Sequence, residues 1–212
     1  MYLPPHFEEA RTAELHRFIA AHPLGALVVN GPNGLDANHI PFLLDPAEPC
    51  GGPARLIAHV ARANPVWRDV ARGAPVLVIF GSAGAYISPN WYPTKADTHR
   101  VVPTWNYEVV HVHGTFSVHD DEKFIRGVIG RLTREHEARV SPGRPWKMSD
   151  APRDFLDQMV SSIIGISVTV TQMVGKRKLG QNRDDGDRLA AAEALEGLGD
   201  AATASAMRKA RE

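Results

Sequence analysis

Short runs of β-branched and aliphatic residues, set apart by glycine- and proline-rich turns rather than by helices, constrain this chain most. Leu24–Val29, Leu35–Leu44, Leu56–Val60, Val76–Phe80, Ala85–Ile87, Val101–Val118 and Ile163–Val174 read as strands. Gly31-Pro32-Asn33-Gly34 lies between the first two and predicts a hairpin. Val76–Phe80 is continuous and apolar, as in a strand covered on both faces. Val101–Val118 is long enough to be bent or bulged. The strand–helix alternation of a doubly wound sheet is missing. The pattern predicts an α+β, mainly β fold: a small barrel or strongly curled antiparallel sheet with helices outside it.

The helices expected around that sheet are few. Phe7, Ala10, Leu15, Phe18 and Ile19 share one stripe, so a helix is expected from Phe7 to about Ala21, ended by Pro23. A helical turn is expected near Pro65. The next helix is expected over about Asp120–Arg139, with Asp120 as cap and Phe124, Val128, Ile129 and Leu132 inward. A shorter helix is expected over Asp154–Met159. The end, Arg183–Glu212, is alanine-rich with five basic and seven acidic residues, and reads as a marginal surface helix that frays. This gives a division into 1–182 and a helical, partly disordered tail over 183–212.

Charge and cysteine content exclude several functions. Lys plus Arg equals Asp plus Glu at 24 each, which removes the net positive field of a nucleic-acid binder. No helix-turn-helix or zinc-finger pattern is present, so direct DNA binding is not expected. A single cysteine, Cys50, lies among Pro and Gly; it rules out an intrachain disulfide and a cysteine-rich zinc site. No apolar run approaches the ~20 residues that cross a bilayer, and the opening Met1-Tyr2-Leu3-Pro4-Pro5 does not resemble a secretory signal. A cytoplasmic protein is expected.

Polar and aromatic residues cluster in a way that a plain barrel does not need. The segments are Asn38-His39-Ile40-Pro41, His59-Val60-Ala61-Arg62-Ala63-Asn64-Pro65-Val66-Trp67, Tyr86-Ile87-Ser88-Pro89-Asn90-Trp91-Tyr92 and Val102-Pro103-Thr104-Trp105-Asn106-Tyr107. A fifth, Gly175-Lys176-Arg177-Lys178-Leu179-Gly180-Gln181-Asn182, follows the last strand. Three of the four tryptophans and three of the four tyrosines fall in them, which suits a planar, partly polar ligand.

With the opening Met1-Tyr2-Leu3-Pro4 and the terminal Lys178-Leu179-Gly180-Gln181-Asn182-Arg183, these blocks resemble, in order and over about residues 1–185, the PaiB family of FMN-binding negative transcriptional regulators. The resemblance implies a flavin-reductase-like split barrel, related to the pyridoxamine-phosphate oxidases, that forms a homodimer with FMN between subunits. It also implies that Arg62 and Asn64 hold the phosphate, beside backbone donors at the helix start near Pro65. The ring would lie along Asn38, His39, Ile40, Pro41, His59, Val60 and Ala61. Ser88, Trp91, Trp105 and Asn106 of the second copy would close the site, with Lys178, Gln181 and Asn182 reaching in.

Each of these residues also has a plainer reading. Arg62 suits a salt bridge and Asn64 a turn before proline, while His39 and His59 suit core hydrogen bonds. Trp91, Tyr92 and Trp105 suit dimer packing as well as ring stacking. Lys176, Arg177 and Lys178 suit a solvated strand end. His111 and His113 share one strand face, but Thr115-Phe116-Ser117 follows them where a metal site would want a glutamate, so no metal is expected. Two functions stand beside the FMN-binding regulator: a flavin-dependent oxidoreductase, and a small-ligand or haem-binding barrel that has lost FMN. No Gly-x-Gly-x-x-Gly follows a strand, which argues against a Rossmann-type NAD site.

Overall fold

The computed structural model describes residues 1–46 and 52–211. The sequence reading of Cys50 lies outside the described residues. Nine strands and seven α-helices are found among those described, and they divide into two compact units.

The larger unit comprises the described residues of His16–Phe80 and His111–Met173. Its strands are β2 (Leu24–Gly31), β3 (Gly34–Pro41), β4 (Leu43–Asp45), β5 (Arg55–Ala61) and β6 (Pro75–Gly81), with most of β8 (Thr104–His119) and β9 (Ile163–Lys178). They lie in the order β3-β2-β6-β8-β9-β5-β4. The β2–β3 hairpin closes at Gly31↔Gly34, where Gly34 takes φ +97°, a left-handed conformation that glycine adopts without a Cβ penalty. Phe42 interrupts the expected Leu35–Leu44 strand, splitting it into β3 and β4 as its N–H turns to Pro23 O at 2.8 Å.

Alternation along the strands gives the sheet two faces. Leu27, Val29, Leu56, Ala58, Val60, Val78, Phe80, Phe116, Ile164, Ile166 and Val168 are buried. Phe42 and Phe80 meet edge-on with centroids 6.0 Å apart. On the other face of β5, Ile57 packs with Val128 and Leu132 of α4 (Glu122–Val140). The cap of α4 is Asp121, whose carboxylate accepts the Phe124 N–H at 2.8 Å, and not Asp120 as expected. The turn expected at Pro65 is the one-turn helix α2 (Val66–Asp69), and the short helix is α5 (Arg153–Ser161).

The smaller unit comprises the described residues of Met1–Leu15, Gly81–Val110 and Val174–Glu212. Here β7 (Ala85–Ile87) pairs with β8 and β1 (Glu8–Glu9) pairs with β9. The first helix therefore starts later than expected, as α1 (Thr12–Ala21). The cause is Glu9: it is buried, pairs in register with Gly175, and its carboxylate accepts the Arg11 backbone N–H at 2.9 Å. A short helix not expected from sequence, α3 (Lys95–Thr98), follows Tyr92.

The C-terminal residues form two helices, α6 (Asp185–Gly197) and α7 (Ala201–Arg208), where one was expected. Ala191, Leu195, Ala204 and Met207 pack with Ile87, Tyr92 and Leu179 in one buried cluster. Buried Asp187 accepts the Thr94 N–H at 3.1 Å and the Thr94 hydroxyl at 2.7 Å, and the Arg183 guanidinium sits 4.9 Å from the Tyr92 ring. Arg188 donates to the last carbonyls of α7, including Arg208 O at 3.0 Å. No described helix is long and apolar enough to cross a membrane.

Candidate functional site

The sequence-predicted residues fall into two groups, one in each unit. In the larger unit, Ile40 and Val60 point into the core, so only their backbones are open to a ligand. His39 and Pro41 are exposed on β3, and Ala61 is exposed at the end of β5. Asn38 and Asn64 meet: Asn64 Nδ2 donates to Asn38 Oδ1 at 2.8 Å, tying β3 to the chain that leaves β5. Asn64 Oδ1 accepts the Val66 N–H at 2.9 Å, so the first donor of α2 already has its partner. A single helical turn also carries little dipole.

Arg62 is fully engaged. Its Nη1 and Nη2 donate to the two Asp120 oxygens at 3.1 and 2.6 Å, and its Nε donates to Ser161 O at 2.8 Å. Its backbone carbonyl accepts the Trp67 indole N–H at 3.0 Å. The ion pair raises the Arg62 pKa and lowers that of Asp120, each chiefly through their mutual hydrogen bond. His59 differs from its neighbours. Burial pushes its pKa below the usual histidine value, so it is neutral at pH 7, and its buried Nδ1 has no hydrogen-bond partner.

In the smaller unit, Ser88 accepts the Asn90 N–H at 3.2 Å and so caps a single 3-10 turn, while Trp91 packs on the C-terminal cluster. Asn106 is buried on β8. Trp105 is 56% exposed and meets the ring of half-exposed Tyr86 edge-on at 6.3 Å. Lys178 Nζ donates to Trp105 O at 2.6 Å and to Thr104 Oγ1, and burial lowers its pKa. Gln181 folds back on its own chain, accepting Leu179 N–H at 2.8 Å and donating to Arg177 O at 2.6 Å. Asn182 is exposed.

Sequence reasoning missed a charged cluster in the same unit. Buried Glu9 pairs with Arg11 at 2.8 Å and Arg177 at 3.6 Å, and Arg177 pairs with Glu108 at 2.7 Å. Lys176, also buried, donates to Tyr2 O at 3.2 Å and lies 5.4 Å from the Tyr107 ring. These partners are up to 174 positions apart, and no local pattern announces them.

A flavin mononucleotide asks for a cation at its phosphate, neutral donors along its polar edge and flat neighbours. Neutral His59 with an unpaired nitrogen and the Asn38 amide fit the edge. Arg62 fits the phosphate where the anion takes the place of Asp120, whose side chain is 55% exposed. The cavity of about 320 Å³ under the β2–β3 turn does not suit a phosphate, since Asp36 and Asp69 line it.

A family model described as "Putative FMN-binding domain" matches residues 1–172. An uncharacterized protein of Aspergillus fumigatus is 32% identical over 94% of this chain and 92% of its own. The Bacillus subtilis "Protease synthase and sporulation protein PAI 2" is 28% identical over 92% of this chain and 89% of its own. Among solved structures, the FAD and haem binding protein of Mycobacterium smegmatis superposes with a TM-score of 0.58 at 18% identity, over 87% of this chain and 79% of that one. The fold is thus the expected class, a mainly antiparallel split barrel with peripheral helices. The chain belongs to the family of the "Putative FMN-binding domain", the PaiB family that its sequence blocks resemble.

Proposed function

We propose that the chain binds FMN, with Arg62 and Asn64 at the phosphate and Asn38, His39, Ile40, Pro41, His59, Val60 and Ala61 along the ring. What carries the reading is the family match over residues 1–172, which contains every residue of this group. Likeness at 18% identity speaks for the fold alone, so the choice of FMN over FAD rests on the family match. Ser88, Trp91, Trp105, Asn106, Lys178, Gln181 and Asn182 belong to the proposed site through a two-fold homodimer. Exposed Tyr86, Val102 and Trp105 supply apolar area for such an interface. Bound flavin supplies electron-transfer chemistry; the chain supplies orientation and hydrogen bonds.

A negative regulatory role, as the PaiB resemblance implies, then runs through the flavin in the cytoplasm, without a DNA-reading element in this chain. Purified protein that is yellow, or that retains one FMN per chain after dialysis, supports the assignment. Colourless protein that fails to retain added FMN overturns it. Light scattering at micromolar concentration is expected to give a dimer, and gel shifts with duplex DNA are expected to show no saturable complex.

A further inference from the structure

A cleft of about 380 Å³ opens between the outer face of β4 and β5 and the first half of α4. Arg55 from β5 and Arg131 from α4 meet in it. Each donates through Nη2 to one oxygen of Asp45, both at 3.1 Å. The shared carboxylate holds the two guanidinia side by side, and the pair lowers the Asp45 pKa below its ordinary value against the opposing effect of burial. Each fork meets Asp45 through one nitrogen and has further N–H donors to offer. The side chains are 45% and 41% exposed. Lys123 lines the same cleft, and the second acid there, Asp121, is occupied in capping α4. Among the described residues, three cations therefore face two acids that already have partners.

The cleft also has an apolar floor, made by Ile57, Phe124 and Val128. The Phe124 ring is fixed by stacking on His119, with centroids 3.8 Å apart. Gly127 adds an independent observation. It lies inside α4 without a positive φ, and a Cβ built on it would meet no atom within 4 Å. Glycine inside a helix is destabilising relative to alanine, and neither packing nor backbone conformation requires it here. What it does is keep the cleft open.

We propose that this cleft is a second ligand site, for a small organic anion with an apolar body. The acid group meets Arg55, Arg131 and Lys123, and the body lies on Ile57, Phe124 and Val128. The site is distinct from the group around Arg62. Arg55 opens β5 and Arg62 directly follows its last residue, Ala61, about 23 Å along the chain at ~3.3 Å per residue.

Isothermal titration of phenyl phosphate and of benzoate into the purified protein tests this. One-to-one binding tighter than ~1 mM is expected for at least one probe; the one that binds tells a phosphate ester from a carboxylate. Arg131→Gln and Gly127→Leu should each weaken it about tenfold or more, while Arg144→Gln, at an exposed arginine outside the cleft, leaves it unchanged. Circular dichroism checks that Gly127→Leu is folded; if it is not, Lys123→Gln gives the second reading. Absence of binding by both probes overturns the proposal. So does binding that persists in Arg131→Gln, or that is lost in Arg144→Gln.

Discussion

Arg62 and Asp120 form a two-pronged ion pair, Nη2 to Oδ1 at 2.6 Å and Nη1 to Oδ2 at 3.1 Å, joining the turn after β5 to the residue before the cap of α4. The guanidinium proposed for the phosphate is thus already neutralised by an exposed acid. Replacing that acid frees the cation, so Asp120→Asn should tighten FMN binding by roughly 2- to 5-fold, the modest scale of exposed charge effects. Arg62→Ala should weaken it by about tenfold or more, the scale of a lost charge-assisted contact. Fluorescence titration of both variants decides the matter; unchanged affinity in Asp120→Asn would place the phosphate elsewhere.

Stability should depend on pH through partly buried histidines, among them His59 and His119. Burial lowers the pKa of His59 and His119 below the ordinary 6.5. The unfolded chain then binds more protons than the folded one as the pH falls, so their contribution is intact above about pH 6.5 and is lost below it. Glu9 acts in a lower window. Its hydrogen bond to Arg11 lowers its pKa from 4.5, so its contribution is present above that value and is lost as the pH falls through the folded pKa. Urea titrations at pH 7.5 and 5.5 should show the loss, with a smaller difference in His59→Gln. An equal pH dependence in that variant would mean that His59 is not the responsible group.

Two glycines should respond in opposite directions to the same substitution. A Cβ at Gly114 would lie 2.4 Å from Thr169 O, a backbone atom that cannot move aside cheaply. Gly114→Ala should cost ~1–3 kcal/mol. Gly127 has open space above it, and Gly127→Ala should stabilise the chain by ~0.5–1 kcal/mol. Denaturant midpoints of the two variants that move in the same direction would contradict the packing described here.

Met207 should behave as a core residue although only five residues follow it in the sequence. Its side chain is 1% exposed in the cluster that holds Ile87, Tyr92 and Leu179. Met207→Ala should destabilise by ~2–5 kcal/mol in thermal or urea unfolding. A change within about 0.5 kcal/mol, the usual surface range, would restore the picture of a frayed tail.

The parts of the fold legible in the sequence are those decided locally. Gly31-Pro32-Asn33-Gly34 set the hairpin because turn chemistry and register reside in neighbouring residues. The continuous apolar run at β6 identified a strand for the same reason. The first helix was extended back to Phe7 because its stripe ignores Glu9, whose strand partner is Gly175. Asp120 and Asp121 are equally good caps by composition; Arg62, 58 positions away, takes the first and leaves the second to α4. The alanine-rich end reads as weak on propensity alone, yet its small side chains let α6 and α7 pack against Leu179 and Met207. Of the site, residue types were readable and commitments were not. Arg62 suits a phosphate or a salt bridge in the sequence, and only the fold shows that it pairs with Asp120 and that Gln181 folds back on Arg177 O.

Parallel titration of the wild-type protein with FMN and with riboflavin, followed by flavin fluorescence, separates binding of the ring from binding of the phosphate. The two ligands share the ring and differ in the phosphate, so the comparison isolates the contact assigned to Arg62. The account predicts one FMN per chain, with riboflavin weaker by about tenfold or more and no longer distinguished from FMN in Arg62→Ala. Equal affinity for the two ligands in the wild type, or no saturable binding of either, would contradict it.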